Sequence, residues 1–215
     1  YPNSALGQST AYRKSNRHDW NLSPVTYNLS PKPIPQPSYT GAMNTKVAVS
    51  VEEYLNTNCE DADCEYLGGE IVERNTRELP HALLQSRLLL LLNELGSSAG
   101  LQVVLKIRLQ INRTRYRVAD IAVRRSVSIG TRIPRVSPFL VVEILSPEDR
   151  RVRMQPKIQE YLGMGIDHVW LIDPYDRKAL SYSKEDPVGK LADVLKTASP
   201  HLEIRSFQFV HRRRA

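Results

Sequence analysis

Cysteine is scarce in this chain. Two cysteines, Cys59 and Cys64, stand among 215 residues, too few for a disulfide framework. With no second pair or histidine partner nearby to complete a zinc site, they read as reduced thiols of a cytoplasmic protein. Long apolar runs are missing too. The five leucines Leu88 to Leu92 are bounded by Arg87 and by Asn93-Glu94, well short of the ~20 apolar residues that a membrane span requires. They read instead as part of a buried helix, and no membrane partner is expected. Acidic residues are missing from one zone: Lys106, Arg108, Arg113, Arg115, Arg117, Arg124, Arg125, Arg132 and Arg135 surround Asp120 alone, while acidic residues concentrate earlier, from Glu52 to Glu78.

The location of the excess charge matters more than its size. The formal net charge is +7, which on its own invites a nucleic-acid partner. Residues 1–42 carry Arg13, Lys14, Arg17 and Lys32 against Asp19, a net of +3, and Arg212-Arg213-Arg214 add +3, leaving the body of the chain at +1. A basic zone around one carboxylate is therefore more informative than the overall charge, although each arginine in it also fits the solvated face of a strand.

Residues 1–42 hold Pro2, Pro24, Pro31, Pro33, Pro35 and Pro37 among Ser, Asn, Gln and Thr, with no apolar periodicity that could offset the entropy of ordering. They are expected to be a disordered extension without the apolar core of a signal peptide. Met43, where the composition turns globular, reads as the authentic start, with an upstream or linker segment before it. A folded domain is expected over 43–210 and a mobile basic tail over 211–215. Ser50-Val51-Glu52-Glu53 is a capping box, predicting a short helix to about Leu55. Gly68-Gly69 predicts a turn or bulge between short strands over Tyr66 to Glu73. Pro80 opens a helix to Glu94 or Leu95 with Gly96 as its stop, and its nearly all-round apolar character predicts central packing.

From Val103 to Ile111 the chain alternates, Leu105, Ile107, Leu109 and Ile111 on one face against Lys106, Arg108 and Gln110 on the other, as in a half-buried strand. Asn112-Arg113-Thr114 turns it into a second strand, Tyr116 to Val123, making an antiparallel hairpin. A basic loop, Arg124 to Pro138, leads to a third strand, Phe139-Leu140-Val141-Val142-Glu143-Ile144-Leu145-Ser146. A helix is predicted to begin at Pro156, since proline inside a helix removes a hydrogen bond, and this puts Lys157 in its first turn. Val169 to Ile172 then forms a strand parallel to the third, Leu180 to Tyr182 pairs back, and the chain beyond Pro187 reads as a weak helix or strand pair.

Two of these strands carry a carboxylate inside an apolar run, Asp120 and Glu143. An isolated ionised carboxylate buried there is costly unless it is paired, protonated or metal-bound. Two such acids on adjacent strands and a lysine on the next helix make a minimal set for phosphodiester hydrolysis. Asp120, Glu143 and the carbonyl of Ile144 are hard oxygen donors suited to Mg2+, or to Mn2+, whose retained water can act as nucleophile. Lys157 would stabilise the charge gathering on the phosphate or orient that water.

The segments Tyr116 to Val123, Leu140 to Pro147, Lys157-Ile158-Gln159-Glu160-Tyr161, Gly165-Ile166 and Val169 to Pro174 together resemble the Uma-type putative restriction endonuclease family, a branch of the PD-(D/E)XK nuclease superfamily. Glu65-Tyr66-Leu67-Gly68-Gly69-Glu70 and His81 fit its early part, so the resemblance runs from about Val51 to Tyr182. It implies an α/β (α+β) fold, a mixed central sheet flanked by helices on an αβββαβ core. It also implies a Mg2+-dependent endonuclease acting on DNA, with Asp120 and Glu143 as the motif's acids. Ala119 departs from the proline usual before the aspartate. Leu145 stands where the superfamily's lysine would be, as in the Uma-type branch, and Lys157 is the candidate to replace it. A homodimer fits cleavage of both strands.

Bland readings stand beside these. Asp120 and Glu143 each also fit a structural ion pair. Lys157 fits a solvated helix residue, His81 a surface or capping group, and Glu65 and Glu70 carry weaker signals still. A non-catalytic nucleic-acid-binding or accessory protein that keeps the nuclease fold is the alternative function.

Overall fold

Among the described residues, the first helix begins where the capping box predicts it. The computed structural model describes residues 48–57, 63–74, 78–125, 133, 136–147 and 151–205; residues 46–215 group as one compact unit. The expected N-terminal extension, Met43, most of the loop after Arg125 and the basic tail lie outside the described residues. Helix α1 (Val51–Asn56) is capped by Ser50, whose Oγ accepts from the Glu53 amide at 3.1 Å while Glu53 Oε2 accepts from the Ser50 amide at 3.0 Å. Strands β1 (Asp63–Leu67) and β2 (Glu70–Arg74) form an antiparallel hairpin. Gly68 and Gly69 make its turn at φ of +63° and +102°, values that a side chain would strain. Cys64 is disulfide-bonded, which corrects the expectation of a reduced thiol there; Cys59 lies outside the described residues.

Helix α2 (Leu79–Ser97) carries Pro80 in its first turn and runs past the predicted stop at Gly96. The expectation that it packs centrally all round is corrected. Leu84, Leu88 and Leu92 are buried on one side, whereas Leu79 and Leu90 are 70% and 71% exposed and Leu83 is exposed as well. A 3.6-residue period makes the reason plain: 79, 83 and 90 fall on the stripe opposite 84, 88 and 92.

Strands β3 (Leu101–Asn112) and β4 (Arg115–Arg125) form the long antiparallel hairpin, turned at Asn112, whose Oδ1 accepts from the Thr114 amide. Strand β5 (Leu140–Ile144) pairs antiparallel with β4 and parallel with β6 (His168–Asp173), and β7 (Lys178–Ser183) and β8 (Lys190–Leu191) complete that side. The sheet order is β2-β1-β4-β5-β6-β7-β8, with β3 also on β4. Strands β9 (Val194–Lys196) and β10 (Glu203–Arg205) form a separate pair, so the C-terminal segment is the strand alternative of the two expected.

Helix α3 (Arg151–Gly163) lies between β5 and β6 and holds Pro156 within it. The predicted start at Pro156 is therefore corrected: Lys157 sits in the second turn, not the first. Proline withholds one amide from the carbonyl four residues earlier, and the burial of Met154, Ile158, Tyr161 and Leu162 on the sheet offsets that loss.

The sheet separates two apolar layers. Leu84, Leu88 and Leu92 of α2 pack with Leu140, Val142 and Ile144; Ile158 and Tyr161 of α3 pack with Val141 and Leu145 on the other face, as the two-residue period of β5 requires. Strand β3 departs from the strict alternation expected of it. Val103 and Leu105 join the α2 layer, whereas Ile107, Leu109 and Ile111 join the α3 layer. The change of face falls at Lys106, which has a φ of +50°, and the β3–β4 ladder passes from Leu105↔Ile121 to Ile107↔Ala119 with Lys106 and Asp120 between. Strand β4 changes face at the same place, with Ile121 in the α2 layer and Ala119 in the α3 layer.

Candidate active site

The site is a fork in the sheet. Strand β3 follows one edge of β4 along its length, so β1 and β5 share the other: β1 pairs at Tyr116 and Arg115, β5 at Ile121 to Val123. Between them, at residues 117–120, the ladder on that edge is replaced by side chains. The Val118 amide donates to Glu65 Oε1 at 3.2 Å, and the Val118 carbonyl accepts from Lys157 Nζ at 2.9 Å. The Asp120 carbonyl accepts from Gln85 Nε2 at 2.8 Å, and Asp120 Oδ2 accepts the Ile144 amide at 2.8 Å. Buried backbone groups must find partners, and here the partners are the side chains of Glu65, Lys157 and Gln85.

Asp120 and Glu143 are both 0% exposed, and each is approached by a nitrogen from a different helix. His81 Nε2, from α2, lies 3.3 Å from Asp120 Oδ2. Its Nδ1 is buried without a hydrogen-bond partner among the described residues. Lys157 Nζ, from α3, lies 3.0 Å from Glu143 Oε1, on which the Tyr161 hydroxyl also donates at 2.7 Å. Lys157 is buried, and a third acceptor, Glu65 Oε1, stands at 2.8 Å. The helix N-terminus is not beside it, since Lys157 is a turn and a half into α3.

Glu65 is held in turn by Arg117. Arg117 Nη1 donates to Glu65 Oε2 at 2.7 Å, and its Nε donates to Glu160 Oε2 at 2.7 Å; Arg115 also pairs with Glu160. Burial alone would raise the Glu65 carboxyl, but Lys157 and Arg117 outweigh it and hold it at about 2. Burial would likewise lower Arg117 and raise Glu160; the ion pairs reverse both, raising the guanidinium and lowering the Glu160 carboxyl.

This network changes the meaning of the basic zone. Arg115 and Arg117 face Glu160 and Glu65, Lys106 pairs with Asp63 at 3.5 Å, and Arg108 lies over the Tyr54 ring at 4.8 Å. Three of the nine basic residues that surround Asp120 in the sequence, Lys106, Arg115 and Arg117, are thus paired with carboxylates of the protein itself.

All three sequence-predicted catalytic residues, Asp120, Glu143 and Lys157, lie in the fork, as does the backbone of Ile144. His81 and Lys157 are buried, which corrects the surface readings of both. Glu65 is in the network, while Glu70 is exposed at the start of β2. Gln85, Tyr161 and Arg117 were not singled out; the one available signal was polarity within an otherwise apolar helix or strand. Among the described residues no group of three or more His, Cys, Asp and Glu side chains is gathered as a metal centre. A divalent cation here would rest on the two carboxylates and the Ile144 carbonyl, a donor set that fits Mg2+ in type. Among the described residues no helix is long and apolar enough to cross a membrane.

Comparison with known proteins bears on the same region. A solved structure from Anabaena variabilis, titled as a putative nuclease belonging to DUF820, is similar in fold at a TM-score of 0.65 and 20% identity, covering 75% of this chain and 97% of that one. No curated protein matches the chain in sequence. The model of the Uma2 family, described as "Putative restriction endonuclease", matches residues 51–208, a span that contains every residue of the fork, and the chain belongs to that family.

Proposed function

We propose that the protein is a Mg2+-dependent endonuclease that hydrolyses DNA phosphodiester bonds in the fork between β1 and β5. One observation carries this reading: two fully buried carboxylates from adjacent strands, Asp120 and Glu143, share the fork with a buried lysine whose Nζ is 3.0 Å from Glu143. Family membership supports the same reaction class. Asp120, Glu143 and the Ile144 carbonyl would hold the metal, which when bound supplies a Lewis acid and an activated water. The Ile144 amide fixes Asp120 Oδ2, and the Tyr161 hydroxyl fixes Glu143 Oε1, so neither acid has to reorganise as the reaction begins. Lys157 brings a full positive charge to the place where negative charge gathers on the phosphate. Buried among three oxygens, it acts there without the screening of bulk water.

Purified protein incubated with supercoiled plasmid and Mg2+ should nick or linearise it, and chelator should stop the reaction. Asp120→Ala and Glu143→Ala should each lower the rate by about 10²-fold or more, the scale seen when one preorganised electrostatic group is lost. Equal activity in all three proteins, or cleavage indifferent to chelator, would overturn the reading.

A second reading, a nucleic-acid-binding protein that keeps the fold without cleavage, is favoured by the pairing of Glu143 with the protein's own ammonium. In that case calorimetry shows binding of duplex DNA but no heat for Mg2+ or Mn2+.

A further inference from the structure

We infer that Glu65 is the residue that positions Lys157, and that the β1–β2 hairpin is therefore part of the active site rather than an addition to the αβββαβ core. The inference rests on the nuclease reading for its effect on rate but not for its geometry. An ammonium has three protons to place, and Lys157 has three acceptors within 3.0 Å: Glu65 Oε1, Val118 O and Glu143 Oε1. Two of them belong to the central strands. The third comes from β1, which precedes α2 and lies outside that core.

Glu65 is itself constrained from two sides, through Arg117 Nη1 at 2.7 Å on one oxygen and the Val118 amide at 3.2 Å on the other. A flexible four-carbon stem loses much rotamer freedom when ordered, so a lysine that enters from a helix rather than from the motif's own strand needs an external anchor. Glu65 supplies one. The role is one of positioning: Glu65 touches the ammonium, and the described contacts of Glu65 include neither Asp120 nor Glu143.

The test uses the full chain and the variant Glu65→Gln, which keeps the volume and an acceptor oxygen but removes the charge. Glu160→Gln is the control, since it removes the other carboxylate that pairs with Arg117 and the described contacts of Glu160 include neither Lys157 nor the two acids. Two readouts are taken: plasmid cleavage with Mg2+, and the ¹⁵N signal of the Lys157 ammonium, identified by its disappearance in Lys157→Arg. A buried ammonium held by three acceptors exchanges slowly with water and gives its own signal. Glu65→Gln should shift or broaden that signal and lower kcat about 10-fold or more with KM within about twofold, the pattern of a transition-state contact, while Glu160→Gln leaves both nearly unchanged.

An unaltered Lys157 signal in Glu65→Gln overturns the inference whatever the cleavage does. So does an altered signal with wild-type kcat, or an equal effect of Glu160→Gln. If the wild type cleaves nothing but the signal depends on Glu65, the positioning stands and the nuclease reading falls.

Discussion

The two helices that flank the sheet each bring a nitrogen to a buried acid of the central strands, α3 to Glu143 and α2 to Asp120, and they do so in different ways. From α3, Lys157 reaches three oxygens at 2.8 to 3.0 Å. From α2, His81 makes one contact, at 3.3 Å, and its second ring nitrogen has no hydrogen-bond partner among the described residues. Both groups are buried, so burial does not separate them. What separates them is the charge they answer. Lys157 lies between two carboxylates, and Arg117 closes the network behind them. Asp120 is steadied by the Ile144 amide as well as by the imidazole. The α3 side of the site is therefore fixed by full charges, whereas α2 is fixed to the sheet chiefly by Leu84, Leu88 and Leu92.

The contrast can be broken most directly at Lys157. Lys157→Met removes the cation and leaves Glu65 and Glu143 buried, which should cost about 3–5 kcal/mol in urea denaturation; a loss no larger than that of His81→Ala would erase the distinction. Acid sharpens it next. Glu65, held at about 2 in the folded state, binds its proton more readily when unfolded, so its contribution is present above the unfolded value near 4.5 and disappears as the pH falls toward 2. That contribution is about 3 kcal/mol from the size of the depression. Stability measured from pH 5 to pH 3 should therefore fall less steeply in Glu65→Gln than in the wild type, and parallel slopes would show that Lys157 and Arg117 do not hold the carboxyl down. The smallest effect is expected at His81. His81→Ala should cost about 1–2 kcal/mol for one buried contact, and a cost above that of Lys157→Met would invert the comparison.

Much of the fold was legible because local rules and tertiary demands agree. Ser50 and Glu53 specify a helix start by chemistry alone, Gly68-Gly69 permits the turn that the hairpin needs, and the apolar runs around Asp120 and Glu143 are what centrally placed strands require. The two acids were legible for the same reason, as charges where the pattern has no place for them. Lys157 came from the order of the motifs. Other features were decided by packing at a distance. Pro156 is a poor residue inside a helix, yet α3 starts five residues before it because Met154 and Ile158 have a sheet to cover. His81 reads as a helix-start residue until the fold sets it against Asp120. The nine basic residues looked like a nucleic-acid surface in one dimension; Glu65 and Glu160, distant in sequence, meet two of them. Nothing in a lysine between two apolar residues announces a φ of +50° at position 106.

That residue has a wider effect on how the molecule holds together. Because β3 and β4 change face together at Lys106 and Asp120, one half of the hairpin seals the layer under α2 and the other half seals the layer under α3. The same two strands are a wall of both compartments. Peeling them away to open one compartment would also expose the other, which ties the two cores together at the position of Asp120.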